Sequence, residues 1–311
     1  MADRDWLAER FEEQRPHLRA LAYRMLGSTT EADDAVQDAW LRFSRADTTG
    51  VDNLRGWLTT VVARLCLDAL RARGSRREDL AGVHLPDPIV ARAGSSPSPE
   101  DESVLADSVG LAMLVVLETL SPAERLAFVL HDTFGLSFEE IAPIVERTPT
   151  AARKLASRAR QRLRGSGAAS ALEDGGGVSP RRQRELVDAF LSAARGGDFE
   201  ALLRILDPDV VVRADAGRLP LPTGRAAVTR GAEAVAAQAL RFRALAGGAR
   251  IASVNGAPGY VVFSGDRPFA ILGFSFARDR IAEIDILVGP ERLARVDVSA
   301  IVRAPAEAPS A

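Results

Sequence analysis

The chain has 311 residues, 47% hydrophobic and 26% charged, with a mean hydropathy near zero; that length suits two domains of ordinary size, and the composition excludes a disordered or fibrous protein. Apolar runs such as residues 111–117 fall far short of the roughly 20 residues a membrane span needs. Residues 1–5 lack the basic-then-apolar order of a secretory signal, so the expectation is a cytoplasmic protein without membrane contact. The single cysteine, Cys66, excludes an internal disulfide and a cysteine-based zinc site; it reads as a small core residue, and no metal or cofactor is expected. The net charge of −2 divides into −3 before residue 171 and +1 after it. A nucleic-acid surface must therefore come from local clustering of charge.

Residues 6–73 repeat apolar side chains at helical spacing, with breaks at 27–30 and 47–53, which predicts a compact helical domain over residues 1–75. Within it, residues 31–43 set an acidic face with Asp33, Asp34 and Asp38 against Val36, Trp40 and Phe43. The helix dipole alone favours acids in a first turn; the functional reading is a protein partner with a basic surface. Residues 53–73 place Trp57, Val61, Leu65 and Ala69 on one face and Thr60, Arg64, Asp68 and Arg71 on another. Trp57 is expected in the core, which leaves the polar face and the loop at 48–55, with Asn53 and Arg55, as the candidate DNA contacts.

Residues 76–107 change character, with Gly, Ser and Pro including Leu85-Pro86-Asp87-Pro88 and an acidic run at 100–102, and read as a linker. A second helical block spans 108–166. Ser121-Pro122-Ala123-Glu124 and Ser137-Phe138-Glu139-Glu140 are capping boxes, and Pro149 or Thr150 opens a third helix. A short helix, a turn and a longer helix predict a helix-turn-helix, although the turn has no Gly. Residues 147–164 hold seven basic residues and no acidic one. Thr150, Arg153, Lys154, Ser157 and Arg158 would face DNA while Leu155, Ala159 and Leu163 pack inward. A merely solvated basic face is the plain alternative; the two capped helices ahead of it favour DNA.

Residues 167–179 form a Gly-rich linker containing Asp174-Gly175-Gly176-Gly177. The domain at 180–296 opens with amphipathic helices at 181–195 and 198–206. Strands follow around 210–212, 260–263, 269–276 and 281–288, with a helix at 232–245 between the first strand and the rest. Helices followed by a curved antiparallel sheet make an α+β domain, with a tail at 297–311. All three histidines, His17, His84 and His131, precede this domain. Asp215, Asp266 and Asp285 remain without an evident acid/base partner, so no catalytic residue is assigned and an enzyme is not expected.

The segments at 31–43 and 53–73, with Leu120-Ser121-Pro122-Ala123-Glu124-Arg125 and Ser157-Arg158-Ala159-Arg160-Gln161-Arg162-Leu163, resemble regions two and four of extracytoplasmic-function (ECF) sigma factors. The resemblance implies that Asp33, Asp34 and Asp38 dock on the β′ clamp helices of core RNA polymerase and that region four meets the β flap. It also implies that residues 53–73 recognise and melt the minus-ten promoter element, that the helix at 150–164 reads the minus-thirty-five element, and that the linker threads toward the active-centre channel. The third block, through residues 280–287 and 290–293, resembles the SnoaL-like, NTF2-type cone.

A sigma factor carrying such a cone resembles the SigJ-like subgroup, which has a Trp-Leu-Pro-Glu-Pro type motif in the linker and an Asp-Gly-Gly-Gly-Lys motif before the cone. Here His84-Leu85-Pro86-Asp87-Pro88 and Asp174-Gly175-Gly176-Gly177-Val178 match in part, with His84 at the aromatic position and Val178 at the lysine. The expected fold is thus multidomain: two all-α sigma domains plus an α+β cone. Leu85, Pro86, Asp87, Pro88, Asp174, Gly175, Gly176 and Gly177 become regulatory contacts through which the C-terminal domain acts on the sigma core in cis, at the high effective concentration of a tethered partner. A small ligand in the cone is a second expectation. The competing reading is a ligand-sensing helix-turn-helix regulator that does not act through core polymerase; such a protein has no need of the block at 31–73.

Overall fold

Helices α1 (Ala2–Leu26), α2 (Thr29–Phe43) and α3 (Leu54–Arg76) pack side by side because each carries an apolar stripe, with Phe11, Leu18, Leu21, Met25, Val36, Phe43, Leu58 and Val62 buried. The computed structural model describes residues 2–46, 53–76, 84–94, 111–165, 178–217 and 228–302. They fall into two units, one of residues 1–81, 98–107 and 116–166, the other of 82–97, 108–115 and 167–311. Ser28 caps α2 by accepting from the Glu31 backbone N–H, and Asn53 caps α3 by accepting from Gly56 at 2.9 Å.

The buried stripe of α3 is Leu58, Val62, Ala63, Cys66, Leu67 and Leu70. It lies one residue on from the Trp57-Val61-Leu65-Ala69 face expected above: Trp57, Val61 and Leu65 are half-buried and Ala69 is exposed. Two adjacent apolar stripes run along this helix, and packing against α1 and α2 selects between them. Trp57 sits at the rim, its ring 5.9 Å from Phe43. Burial pushes the Cys66 thiol up to about 12, so it stays protonated and inert.

The rest of the first unit holds the end of α4 (Leu111–Leu117), then α5 (Pro122–Phe128), α6 (Phe138–Val145) and α7 (Pro149–Gly165). Both capping boxes form, Ser121 with Glu124 and Ser137 with Glu140. After α5 the helix widens by one residue: Phe134 N–H reaches back to Val129 C=O at 3.2 Å. Between α6 and α7, Glu146 takes φ 56°, the left-handed cap that glycine usually supplies. Arg125 is buried, donating to Glu118 at 2.9 Å and to the Arg24 carbonyl at 3.0 Å. Arg73 donates to the Leu26 carbonyl and pairs with Glu31.

The second unit is built on a seven-stranded sheet in the order β1-β4-β5-β6-β7-β2-β3: β1 Val90–Arg92, β2 Leu206–Asp215, β3 Val228–Arg230, β4 Ala249–Val254, β5 Ala257–Ser264, β6 Arg267–Ala277 and β7 Arg280–Val288. Its helices are α8 (Pro180–Gly196), α9 (Phe199–Ile205), α10 (Ala232–Arg241), α11 (Arg243–Ala246), α12 (Pro290–Leu293) and α13 (Ser299–Val302). Strands β4 to β7 form an antiparallel meander, but β2 joins its free edge parallel to β7, so the sheet is mixed rather than wholly antiparallel. The helix expected at 232–245 breaks at Phe242 into α10 and α11.

Helices α8, α9 and α10 cover one sheet face through Leu186, Val187, Phe190, Tyr260, Phe274 and Ile284. The other face is covered by Leu85, Leu111, Leu293 and Ile301 over Val254, Val261, Ile271 and Leu287. Residues 84–92 of the expected linker and 299–301 of the expected tail therefore belong to this domain's core. Leu85 and Ile89 are apolar residues among prolines that hold the chain extended, which suits an edge strand.

Candidate nucleic-acid interface and linker clasp

Helix α7 carries its charge unevenly. Ala152, Ala156, Ala159 and Leu163 are buried against α5 and α6, with Leu155 half-buried; small side chains let the helices approach closely. Arg160 forks onto Asp132 at 2.8 and 3.0 Å, and Arg162 donates to Glu124 at 3.1 Å, so two of the basic residues brace the helix on its scaffold. Thr150, Arg153, Lys154, Ser157 and Arg158 are all exposed on the opposite side. The Arg153 guanidinium lies 5.3 Å from the Phe138 ring centre, which stiffens it at the turn. An exposed basic face at the start of a second helix is the surface a helix-turn-helix presents to the major groove.

On α3, Asn53, Arg55, Arg64 and Arg71 are exposed, but each is engaged. Asn53 is the helix cap. Arg55 donates to His17 Nδ1 at 3.0 Å, while His17 Nε2 lies 3.1 Å from the Thr59 hydroxyl and its ring stands edge-on to Phe134 at 5.0 Å. Arg64 reaches the Pro143 carbonyl at 3.4 Å and Arg71 lies 3.7 Å from Asp68. The loop at 48–52 lies outside the described residues. The open cleft lined by His17, Arg55, Trp57, Thr60, Phe134 and Glu140 is of mixed character, polar and apolar in about equal measure. His17 and Thr59 were not singled out from the sequence, since helical periodicity cannot show which residue of α1 faces α3. On α2, Asp33, Asp34 and Asp38 are exposed, with Asp33 accepting from Arg19 at 2.7 Å.

The Leu85–Pro88 motif is held in the second unit by one arginine. Arg292 of α12 donates to Asp87 at 2.8 Å, to the Leu85 carbonyl at 2.6 Å, to Asp215 at 2.5 Å and to His84 Nδ1 at 3.0 Å. Asp215 also accepts from the Leu85 N–H at 2.8 Å, and Asn255 bonds the Ile89 backbone in both directions. From there Val90–Arg92 pairs with β4. The Asp87, Asp215 and Arg292 side chains are only 3%, 3% and 8% exposed. Val178 is buried against the core of the domain; Asp174, Gly175, Gly176 and Gly177 lie outside the described residues.

Residues 10–76 match the Sigma-70 region 2 family and residues 111–163 the Sigma-70 region 4 family. The chain is 35% identical over 94% of its length to the probable ECF RNA polymerase sigma factor SigI of Mycobacterium tuberculosis, covering 97% of that protein. It is 40% identical over 68% of its length to the ECF sigma factor SigJ of the same organism, covering 65% of that protein. The crystal structure of M. tuberculosis SigJ superposes with a TM-score of 0.74 at 31% identity, over 94% of this chain and 99% of that one. This chain is an ECF RNA polymerase sigma factor.

A sigma factor directs transcription initiation with core RNA polymerase at promoter DNA and is not an enzyme. The three aspartates weighed for catalysis fit that identity. Asp215 is part of the Arg292 cluster, and Asp285 accepts from Arg213 at 3.2 Å beside Glu283. Asp266 is exposed in the β5–β6 turn. Among the described residues, no carboxylate or histidine lines the cavity of the cone. Among the described residues no helix is long and apolar enough to cross a membrane, and no cluster of His, Cys, Asp and Glu could hold a metal.

Proposed function

We propose that the C-terminal domain restrains this sigma factor in cis by keeping the segment that joins regions two and four inside its own sheet. The observation that carries this reading is the buried Asp87–Arg292–Asp215 cluster. A linker that has to enter the polymerase active-centre channel must first leave β4, surrender both Asn255 bonds and withdraw Asp87 from Arg292. Arg292 keeps Asp215 when Asp87 leaves, so the loss is that of a charge-assisted hydrogen bond, about 1.5–3 kcal/mol, enough to make engagement depend on what weakens the clasp.

Around that restraint the remaining roles follow the exposed surfaces. Asp33, Asp34 and Asp38 dock on the β′ clamp helices and region four meets the β flap. Asn53, Arg55, Arg64 and Arg71 contact the minus-ten element once Arg55 parts from His17. Thr150, Arg153, Lys154, Ser157 and Arg158 read the minus-thirty-five element, with the basic side chains taking phosphates and base edges. Residues 174–177 complete the restraint as the junction to the domain.

Run-off transcription with purified core polymerase tests the restraint. Asp87→Asn removes the charge that Arg292 holds on the linker while leaving the sheet intact, and should raise specific initiation at limiting sigma factor. Equal core binding and equal transcript from Asp87→Asn and the parent chain would reject it. A chain ending after Gly177 should still bind core, and its transcript level measures the whole effect of the third domain.

A further inference from the structure

We infer that the cone of the C-terminal domain is a binding site for a small, uncharged, largely hydrocarbon molecule. Between α8, α10, α11 and the sheet lies a cavity of about 140 Å³ that opens to solvent at its mouth, comparable to apolar cavities that hold a small aromatic molecule. The space exists because alanine occupies six of the lining positions, Ala194, Ala214, Ala239, Ala246, Ala249 and Ala270, where a core built only for stability would be filled to native density. Phe242, Leu245, Phe269, Leu272 and Ile286 also line it and are half-buried. Apolar side chains thus remain in contact with water at the mouth, and a ligand that covered them would gain from their burial.

The chemistry of the lining sets the class of ligand. Among the described residues, only Gln238 and Tyr260 bring polar side chains to the wall, and the Tyr260 hydroxyl already donates to the Val187 carbonyl. Asp215, Glu283, Asp285, Arg213 and Arg292 are gathered in their own ion pairs and none of them lines the cavity. A charged group entering the cone would lose its water and find no counter-ion. An uncharged molecule loses nothing, and one polar group on it can meet the Gln238 amide. The inference concerns binding to the free protein and holds whether or not the domain restrains transcription.

The test uses the full chain and a matched pair of dyes, uncharged N-phenyl-1-naphthylamine and its anionic relative 1-anilinonaphthalene-8-sulfonate, titrated by fluorescence, with Tm and gel-filtration volume measured alongside. The expected result is saturable one-to-one binding of the uncharged dye with a raised Tm, and sulfonate binding weaker by roughly tenfold or more, the cost of stripping a charge of water. Ala246→Phe, which fills the mouth, should reduce binding of the uncharged dye by about tenfold in a protein that keeps its Tm. Gln238→Leu, which preserves the volume, should bind it at least as well as the parent chain. Absence of saturable binding, equal affinity for the two dyes, or unchanged binding in a folded Ala246→Phe variant would overturn the inference. So would a dimer that excludes the dye, since a second copy would then be what covers the mouth.

Discussion

Asp285 shows how a single buried side chain sets a pH dependence. Arg213 forks onto Glu283 at 2.9 and 3.1 Å and spares one bond of 3.2 Å for Asp285. One guanidinium thus serves two carboxylates, and the more deeply buried carboxylate is the one that keeps its proton. Burial raises Asp285 from 3.8 to about 7, against the opposing pull of Arg213. Because the folded value lies above the unfolded one, the stabilisation is complete below about pH 4, declines as pH rises toward 7 and falls no further above that. Because asparagine mimics the protonated carboxyl, urea midpoints of the parent chain and Asp285→Asn should lie closest near pH 4 and separate as pH rises to 7, the parent falling relative to the variant. Parallel curves across that window would show that Asp285 is ionised throughout.

At the scale of the element, α7 and the turn before it invite two comparisons. Glu146 holds a left-handed backbone that costs an L-residue about 1–2 kcal/mol. Glu146→Gly should accordingly stabilise the chain by up to about 1 kcal/mol, read as a higher urea midpoint at constant slope. A lower midpoint would mean that the Glu146 side chain contributes more than its backbone costs. The second comparison separates display from bracing on one helix. Arg158→Ala should weaken promoter binding by the holoenzyme and lower its salt slope by about one unit if Arg158 takes a phosphate. Arg160→Ala, by removing the fork onto Asp132, should lower stability and leave the salt slope unchanged. The same salt slope in both variants would place the two arginines in one role.

Across the whole molecule, the chain folds into two units whose boundaries do not follow sequence order: residues 82–97 and 108–115 belong with the C-terminal domain although region-four residues follow them. Restraint by that domain predicts a pattern of backbone protection. In the free protein, amides at Leu85, Ile89 and the β1–β4 pairs should exchange slowly, since each is bonded inside the sheet. Binding to core polymerase should release them while amides of β5, β6 and β7 stay protected. Continued protection of residues 85–92 in the holoenzyme would show that the linker stays in the sheet during initiation and would remove the restraint as proposed.

Much of this architecture was legible in the residues themselves. The capping boxes at Ser121 and Ser137 close within four residues, so they form wherever the chain allows a helix, and Arg153, Lys154 and Arg158 of the basic cluster after Glu146 are exposed as its spacing predicts. The resemblance carried by those segments led to the sigma-factor family, and the comparisons agree. What could not be read was whatever depends on distant partners. Trp57 at the rim and not the core, His17 beneath Arg55, and β2 lying parallel to β7 are all choices between locally equivalent options, made by packing. The linker motif is the clearest case: the sequence marks Asp87 as a regulatory contact, but its partner, Arg292 of α12, stands 205 residues further on and is found only by folding. The cone's open space is likewise invisible in a string of alanines, since a small side chain makes a cavity only when the walls around it are already fixed. Local hydrogen bonding and periodicity were determined by the sequence alone; long-range charge pairing and enclosed volume were decided by the tertiary structure, because both are properties of surfaces that exist only after folding brings them together.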